Sequence, residues 1–288
     1  MPSLLINADD FGLTPGVNRA IAELHDAGCL RSTTLMATGS AFDDAVALAL
    51  ARPLLGVGCH IVLTDGLPVL PPAEIPSLLG EDGIHFRPTL GVFVRDLMLG
   101  RLNELEIERE ATAQMRKLQT AGIRVTHFDS HKHAHLFPAI VRPLARAAHA
   151  CGVPALRNPF EPAWSIAVGG SLIRKLQLRA LQRLHDPFFA QFDSLATPDG
   201  TLGVSATGNL DATSLQHLLH NMPEGVWELV CHPGYNDADL DRITTRLRTH
   251  RQVEYAALLQ QIPLALRINP ELRLISYTGI LPSANEAL

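Results

Sequence analysis

The order in which apolar runs alternate with amphipathic ones restricts this chain to few architectures. Runs at residues 4–7, 32–37 and 55–63, a run ending at Phe128, and runs at 155–157, 201–204, 225–231 and 272–277 have the length and β-branched character of strands. Helical spacing recurs between them, at residues 43–51, 102–120, 139–150, 169–184, 210–222 and 237–261. The first helix is the clearest: Thr14-Pro15 supplies the N-cap and first-turn proline, Val17, Ala20, Ile21 and Leu24 form its inner stripe, and Gly28 stops it. Strand followed by helix, about seven or eight times over, predicts an α/β fold with a parallel sheet closed or nearly closed into a barrel. No internal repeat and no linker divides the 288 residues, which predicts a single domain.

Composition narrows the function classes. A hydrophobic content of 47% suffices for a full core, and a net charge of −5 gives no basic footprint, so nucleic acid is not an expected partner. Cys29, Cys59, Cys151 and Cys231 form no C-x-x-C pair, which suits free thiols in a reducing compartment. With no basic leader before the first strand and no apolar run long enough to cross a bilayer, the expected location is cytoplasmic. Pro68, Pro71, Pro72, Pro76 and Pro88 mark residues 64–90 as an insertion and a candidate lid. The acids Glu104, Glu106, Glu108 and Glu110 read as a solvated helix face. In the 169–184 helix, Leu172, Ile173, Leu176, Leu181 and Leu184 interleave with Arg174, Lys175, Arg179 and Arg183. Such a helix packs on its own domain, on a second subunit in a homodimer, or on an anionic membrane surface.

The polar residues that packing does not need fall at strand ends. Asp9 and Asp10 follow the first strand, His60 ends the third, and His232 follows the penultimate one. The densest cluster, Thr126-His127-Phe128-Asp129-Ser130-His131-Lys132-His133-Ala134-His135, bridges a strand and the helix opened by Pro138. In a parallel barrel these positions share one rim, where α/β folds place their chemistry. A hydrolytic metal centre needs imidazoles and a carboxylate with one position left to water. Asp10, His60 and His131 are the assigned ligands, with His133 as the rival of His131. Of two adjacent carboxylates one stays with the cation, so Asp9 is assigned as general base, and His232 as donor to a leaving amine. Asp129 is placed to orient a ligand imidazole, and Asn7, His127 and His133 to support the centre from behind. Alone, each residue has a plainer reading: His60 as a satisfied strand histidine, Asp9-Asp10 as caps of the following turn. Lys132 and His135 read as outer-turn residues, and Cys59 and Cys231, one position out of phase with the histidines, as packing residues.

The segments Asn7-Ala8-Asp9-Asp10-Phe11-Gly12, Gly58-Cys59-His60, His127-Phe128-Asp129-Ser130-His131-Lys132-His133 and His232-Pro233-Gly234-Tyr235 resemble, in order and across most of the chain, the YdjC-like carbohydrate deacetylases. These include the ChbG and hopanoid-associated HpnK proteins, and residues 55–76 look closest to HpnK. The resemblance implies a distorted TIM-like barrel, one divalent ion (Zn2+ or Mg2+) on Asp10, His60 and His131, and removal of acetyl from an N-acetylated amino sugar, free or lipid-linked. Two alternatives use the same residues: a metal-dependent amidase or esterase on a non-sugar acyl compound, and a non-catalytic metal- or sugar-binding protein. Cys59 departs from the pattern, where an aliphatic residue is expected.

Overall fold

The structure, a computed structural model, describes residues 1–166 and 172–282. Its strands are β1 (Pro2–Phe11), β2 (Ser32–Leu35), β3 (Gly56–Ile61), β4 (Val125–Ser130), β5 (Gly200–Leu202), β6 (Gly225–Cys231) and β7 (Arg273–Ile275). The helices are α1 (Pro15–Asp26), α2 (Phe42–Leu50), α3 (Leu90–Met98), α4 (Glu104–Thr120), α5 (Pro138–Cys151), α6 (Ala163–Ile166), α7 (Leu172–Leu181), α8 (His185–Phe189), α9 (Ala212–His220), α10 (Ala238–Asp241) and α11 (Thr249–Ile268).

All strand pairs are parallel, in the order β4-β3-β2-β1-β6-β5, with β7 beside the first half of β1. β1 is longer than its apolar run suggests because three partners hold it. β6 takes Pro2 to Ala8, β7 takes Ser3 to Leu5, and β2 takes Asn7 to Phe11. Asp9 and Asp10 therefore lie within the strand's last residues rather than in a turn beyond it. Between the outer strands β4 and β5 the ladder continues only as single bridges, Phe128 to Leu156 and Ala155 to Ala196. The strand expected at 155–157 is thus reduced to bridges, and the barrel is distorted at that seam.

Two helical expectations change, and a third lies partly outside the described residues. The 237–261 helix is two helices, because the Arg248 guanidinium takes the carbonyls of Leu240 and Ile243 at the end of α10 in place of continuing backbone donors. On α4, Glu104 and Glu108 do face outward, towards Arg142 and Arg146, but Glu106 and Glu110 are buried. Glu110 accepts the N–H groups of Val69 and Leu70, Glu106 that of Ser77, and Gln114 brackets Val62. These bonds fasten the proline-rich excursion, with its 3₁₀ turns Pro72–Glu74 and Pro76–Leu78, onto α4, which does not suit a free lid. The basic helix expected from residue 169 begins outside the described residues; α7 buries Leu178 and leaves Leu172, Ile173 and Leu176 exposed. No helix among the described residues is long and apolar enough to cross a membrane.

Candidate metal centre at the barrel rim

Strand pleating sends alternate residues to opposite faces, so His127 and Asp129 of β4 point inward together while Phe128 faces the helices. In register, His60 of β3 lies beside Asp129 and Cys59 beside Phe128. Cys59 and Cys231 are fully buried in the core, as their phase requires. Gly58 is needed for this: a Cβ there would stand 2.6 Å from the His127 ring.

His60 donates from Nδ1 to Asp129 Oδ1 at 2.7 Å, which leaves Nε2 as the atom turned towards the centre, able to ligate a cation once its proton is displaced. Nε2 lies 3.3 Å from His131 Nδ1 and 3.5 Å from Asp10 Oδ1, and the His131 nitrogen is 3.4 Å from the same oxygen. Asp10 adopts φ +65°, unusual for a residue other than glycine, and its Oδ1 is buried without a hydrogen-bond partner. The donor set fits a divalent cation. Three ligand atoms ~3.4 Å apart are what ~2.1 Å bonds in tetrahedral geometry require, against ~3.0 Å between neighbours in an octahedron. His131 is the partly exposed member, so the centre opens to solvent on its side. Burial disfavours a charged His60, yet Asp129 beside it, followed by Asp9 and Asp10, raises its pKa to about 9. The potential that attracts a proton there also attracts a cation.

Behind this triangle lies a closed polar network. Arg157 is completely buried and gives both terminal nitrogens to Asp9, at 2.6 and 2.9 Å, and Nε to Glu228 at 2.9 Å. Its Nη1 also faces Asp129. Glu228 accepts from the Tyr277 hydroxyl at 2.6 Å; the Tyr277 ring stacks on His127 with centroids 3.6 Å apart. Asn7 donates to Asp9 Oδ1, so its own carbonyl oxygen accepts from His127 Nε2 at 3.0 Å. Thr34, from β2, bonds to Asn7 and His60. Burial works against an ionised Asp9, but the charge and hydrogen bonds of Arg157 outweigh it and hold the carboxyl below the usual range. One guanidinium faces three carboxylates. Glu228 yields: burial lifts its pKa to about 7 against the pull of Arg157.

His232 enters from the end of β6. Its Nε2 is 3.8 Å from Asp9 Oδ2, its backbone N–H donates to Glu254 Oε2 at 2.6 Å, and its Nδ1 is buried without a partner. His133 stands outside the Asp10 triangle, its Nδ1 buried and unpaired; burial, with Arg157 nearby, lowers its pKa to about 3. His135 is not an outer-turn residue. It is fully buried, because Ser130 Oγ pairs with its Nδ1 at 2.7 Å and takes its backbone N–H at 2.8 Å, folding the turn back on β4. Lys132 does face outward, towards Asp65. Asp9, His60 and Asp129 form a second cluster of close oxygen and nitrogen atoms, but there Arg157 and the Nδ1 proton of His60 fill the space between them.

Sequence reading passed over Arg157, Glu228, Tyr277, Arg251 and Glu254. A signal was present for two: a lone arginine in Ala155-Leu156-Arg157 and a lone acid in Trp227-Glu228-Leu229, both in runs otherwise fit for burial.

Fold and site define a class, the parallel α/β barrel proteins with a carboxylate and imidazole cluster at the carboxyl rim. Within it, the chain belongs to the YdjC-like protein family, whose model matches residues 3–265. A carbohydrate deacetylase of Thermoanaerobacter pseudethanolicus is 29% identical over 88% of this chain and 89% of its own length. One from Geobacillus stearothermophilus is 33% identical over 82% and 81%. One from Brevibacillus brevis is 43% identical over 54% of this chain, and the match spans only 59% of that relative. The crystal structure of an Enterococcus faecalis V583 protein named for cellobiose-phosphate cleavage superposes with a TM-score of 0.78, at 27% identity and over 98% of this chain and 99% of that one. The family and the distorted barrel expected from the motifs both hold.

Proposed function

We propose that this chain is a metal-dependent carbohydrate deacetylase that hydrolyses the N-acetyl group of an N-acetylated amino sugar to acetate and a free amine. The observation that carries this is the meeting of Asp10 Oδ1, His60 Nε2 and His131 Nδ1 beside the Asp9 and His232 pair. That the substrate is a carbohydrate is taken from the relatives named carbohydrate deacetylases, and the N-acetylated amino sugar is the finer step of the proposal.

Asp10, His60 and His131 would hold the ion. Bound there, a divalent cation supplies Lewis acidity to an acyl oxygen and brings the pKa of a water towards neutrality. Asp129 keeps the His60 Nε2 lone pair turned towards the centre. Asp9 is kept ionised and oriented by Arg157, and takes the proton of the attacking water as its oxygen bonds to the acetyl carbon. So acidic a carboxyl is a weak base, and a cation held by Asp10, His60 and His131 would supply the acidity that the water needs. His232, across from Asp9, gives a proton to the nitrogen as the C–N bond breaks. The tetrahedral spacing of the donor atoms favours zinc over magnesium as the working ion.

Acetate release from N-acetylglucosamine oligomers, measured after chelation and after return of zinc or magnesium, tests the reading. Loss on chelation and recovery with the ion is expected; undiminished release in chelator, or release from simple acyl amides but not from sugars, rejects it. For α7, where exposed Leu172, Ile173 and Leu176 lie near Arg179 and Arg183, the favoured reading is packing within the domain or on a second copy of the chain, and a membrane contact is the lesser one. Flotation with anionic vesicles is expected to leave the protein in the bottom fractions, and upward movement would favour the membrane reading.

A further inference from the structure

The first turns of α11 carry two buried ionisable side chains, Arg251 and Glu254, that reach the rim. Arg251 is 1% exposed and lies three residues into a helix whose amino end, with its unpaired N–H groups, disfavours a cation. Its Nη1 is buried with no hydrogen-bond partner, a cost that a stabilising arginine would not carry. Yet the guanidinium is firmly placed. Nε donates to Leu247 O at 3.0 Å, and Nη2 donates to Asp10 Oδ2 at 2.6 Å. That bond occupies one carboxylate oxygen and leaves Oδ1 as the atom that meets His60 and His131. Glu254, 1% exposed and nearly one turn further along α11, takes the backbone N–H of His232 at 2.6 Å; its Oε2 is 3.9 Å from His232 Nδ1. Gly234 lets the helix come this close. A Cβ at that position would stand 3.1 Å from Arg251 Cδ and 3.0 Å from Val17 Cγ2. The third residue of His232-Pro233-Gly234-Tyr235 is thus explained by the arginine behind it.

We propose that α11 is the positioning element of the centre: Arg251 fixes Asp10 so that Oδ1 alone faces the imidazoles, and Glu254 fixes His232. This rests on the reading of Asp10, His60 and His131 as metal ligands, and its test separates the two. Two physical effects oppose each other at Arg251. Deleting a cation beside a metal carboxylate raises affinity for a divalent ion by Coulomb attraction, whereas releasing the carboxylate from its orientation lowers it. If positioning dominates, loss of the guanidinium weakens zinc binding by about 10- to 100-fold, the range for groups that orient metal ligands.

The experiment is zinc titration of purified apoprotein by competition with a chromophoric chelator, with a thermal melt of each sample. Arg251→Met is expected to weaken zinc 10- to 100-fold, and Arg251→Lys, which keeps the charge but replaces the fork by a point donor, to weaken it less. Glu254→Gln is expected to leave zinc affinity unchanged while lowering kcat for acetate release. Equal or tighter zinc binding by Arg251→Met overturns the proposal and leaves the metal reading standing; absence of zinc binding by the unaltered protein overturns the metal reading itself. Should Arg251→Met fail to melt cooperatively, Gly234→Ala gives the answer without removing any ligand or charge: weaker zinc binding supports the proposal, unchanged binding overturns it.

Discussion

Asp9 and Asp10 are chain neighbours, each 3% exposed and each bonded to a buried arginine, yet their surroundings differ in kind. Asp9 follows the inward phase of β1 with Asn7, so both of its oxygens are taken by Arg157 and Asn7. Asp10, turned out of phase by its positive φ, gives one oxygen to Arg251 and keeps the other unpaired between two imidazoles. Burial and residue type are the same. What separates a carboxylate clamped by a guanidinium, with Oδ2 still able to accept a proton on the His232 side, from one with an oxygen open to a cation is which partners the strand's end presents to it.

Exchanging the two carboxylates for amides tests that difference most severely. Asp10→Asn is expected to abolish zinc binding and turnover together, whereas Asp9→Asn should retain the ion and lose about 10²- to 10⁴-fold in kcat. Zinc content and acetate release measured on the same samples distinguish them, and equal loss of zinc from both would erase the contrast.

Arg157 is what holds the Asp9 side ionised and in place. Arg157→Met leaves Asp9, Asp129 and Glu228 without their shared cation, and a loss of about 3–5 kcal/mol in a denaturant melt is expected. A cost below 1 kcal/mol would show that the network stabilises little.

Glu228 sharpens the same comparison through pH. Its folded-state pKa of about 7 lies above the ordinary 4.5, so the group favours the folded state most fully at low pH and loses that contribution as pH rises through about 7. Glu228→Gln removes this dependence. Between pH 5 and 8 the parent protein is expected to lose on the order of 2 kcal/mol more than the variant. Parallel pH profiles would place the proton elsewhere. A change of similar size concerns the back of the Asp9 side: Gly58→Ala presses on His127, the partner of Asn7, and should cost about 1–3 kcal/mol without changing zinc stoichiometry.

The carboxyl-rim residues were legible because metal-ligating types recur at strand ends, where packing gives them no other reason to be. Periodicity also found β6 and α5 nearly residue for residue. It failed where a side chain replaces backbone pairing. Glu106 and Glu110 look like surface acids until the prolines of 64–90 leave N–H groups that need acceptors. His135 looks exposed in sequence because Ser130, which buries it, reads only as a turn residue. Arg251 and Glu254 lay inside an ordinary helical pattern, and only the path of the chain after β6 brings them to the rim.

Anomalous diffraction at the zinc edge, from crystals of the protein grown with zinc, addresses the central claim without reference to any substrate. One peak bonded to Asp10 Oδ1, His60 Nε2 and His131 Nδ1, with Asp9 still on Arg157, is the expected result. A peak bonded instead to Asp9 and Asp129, or no peak at the rim, would contradict it.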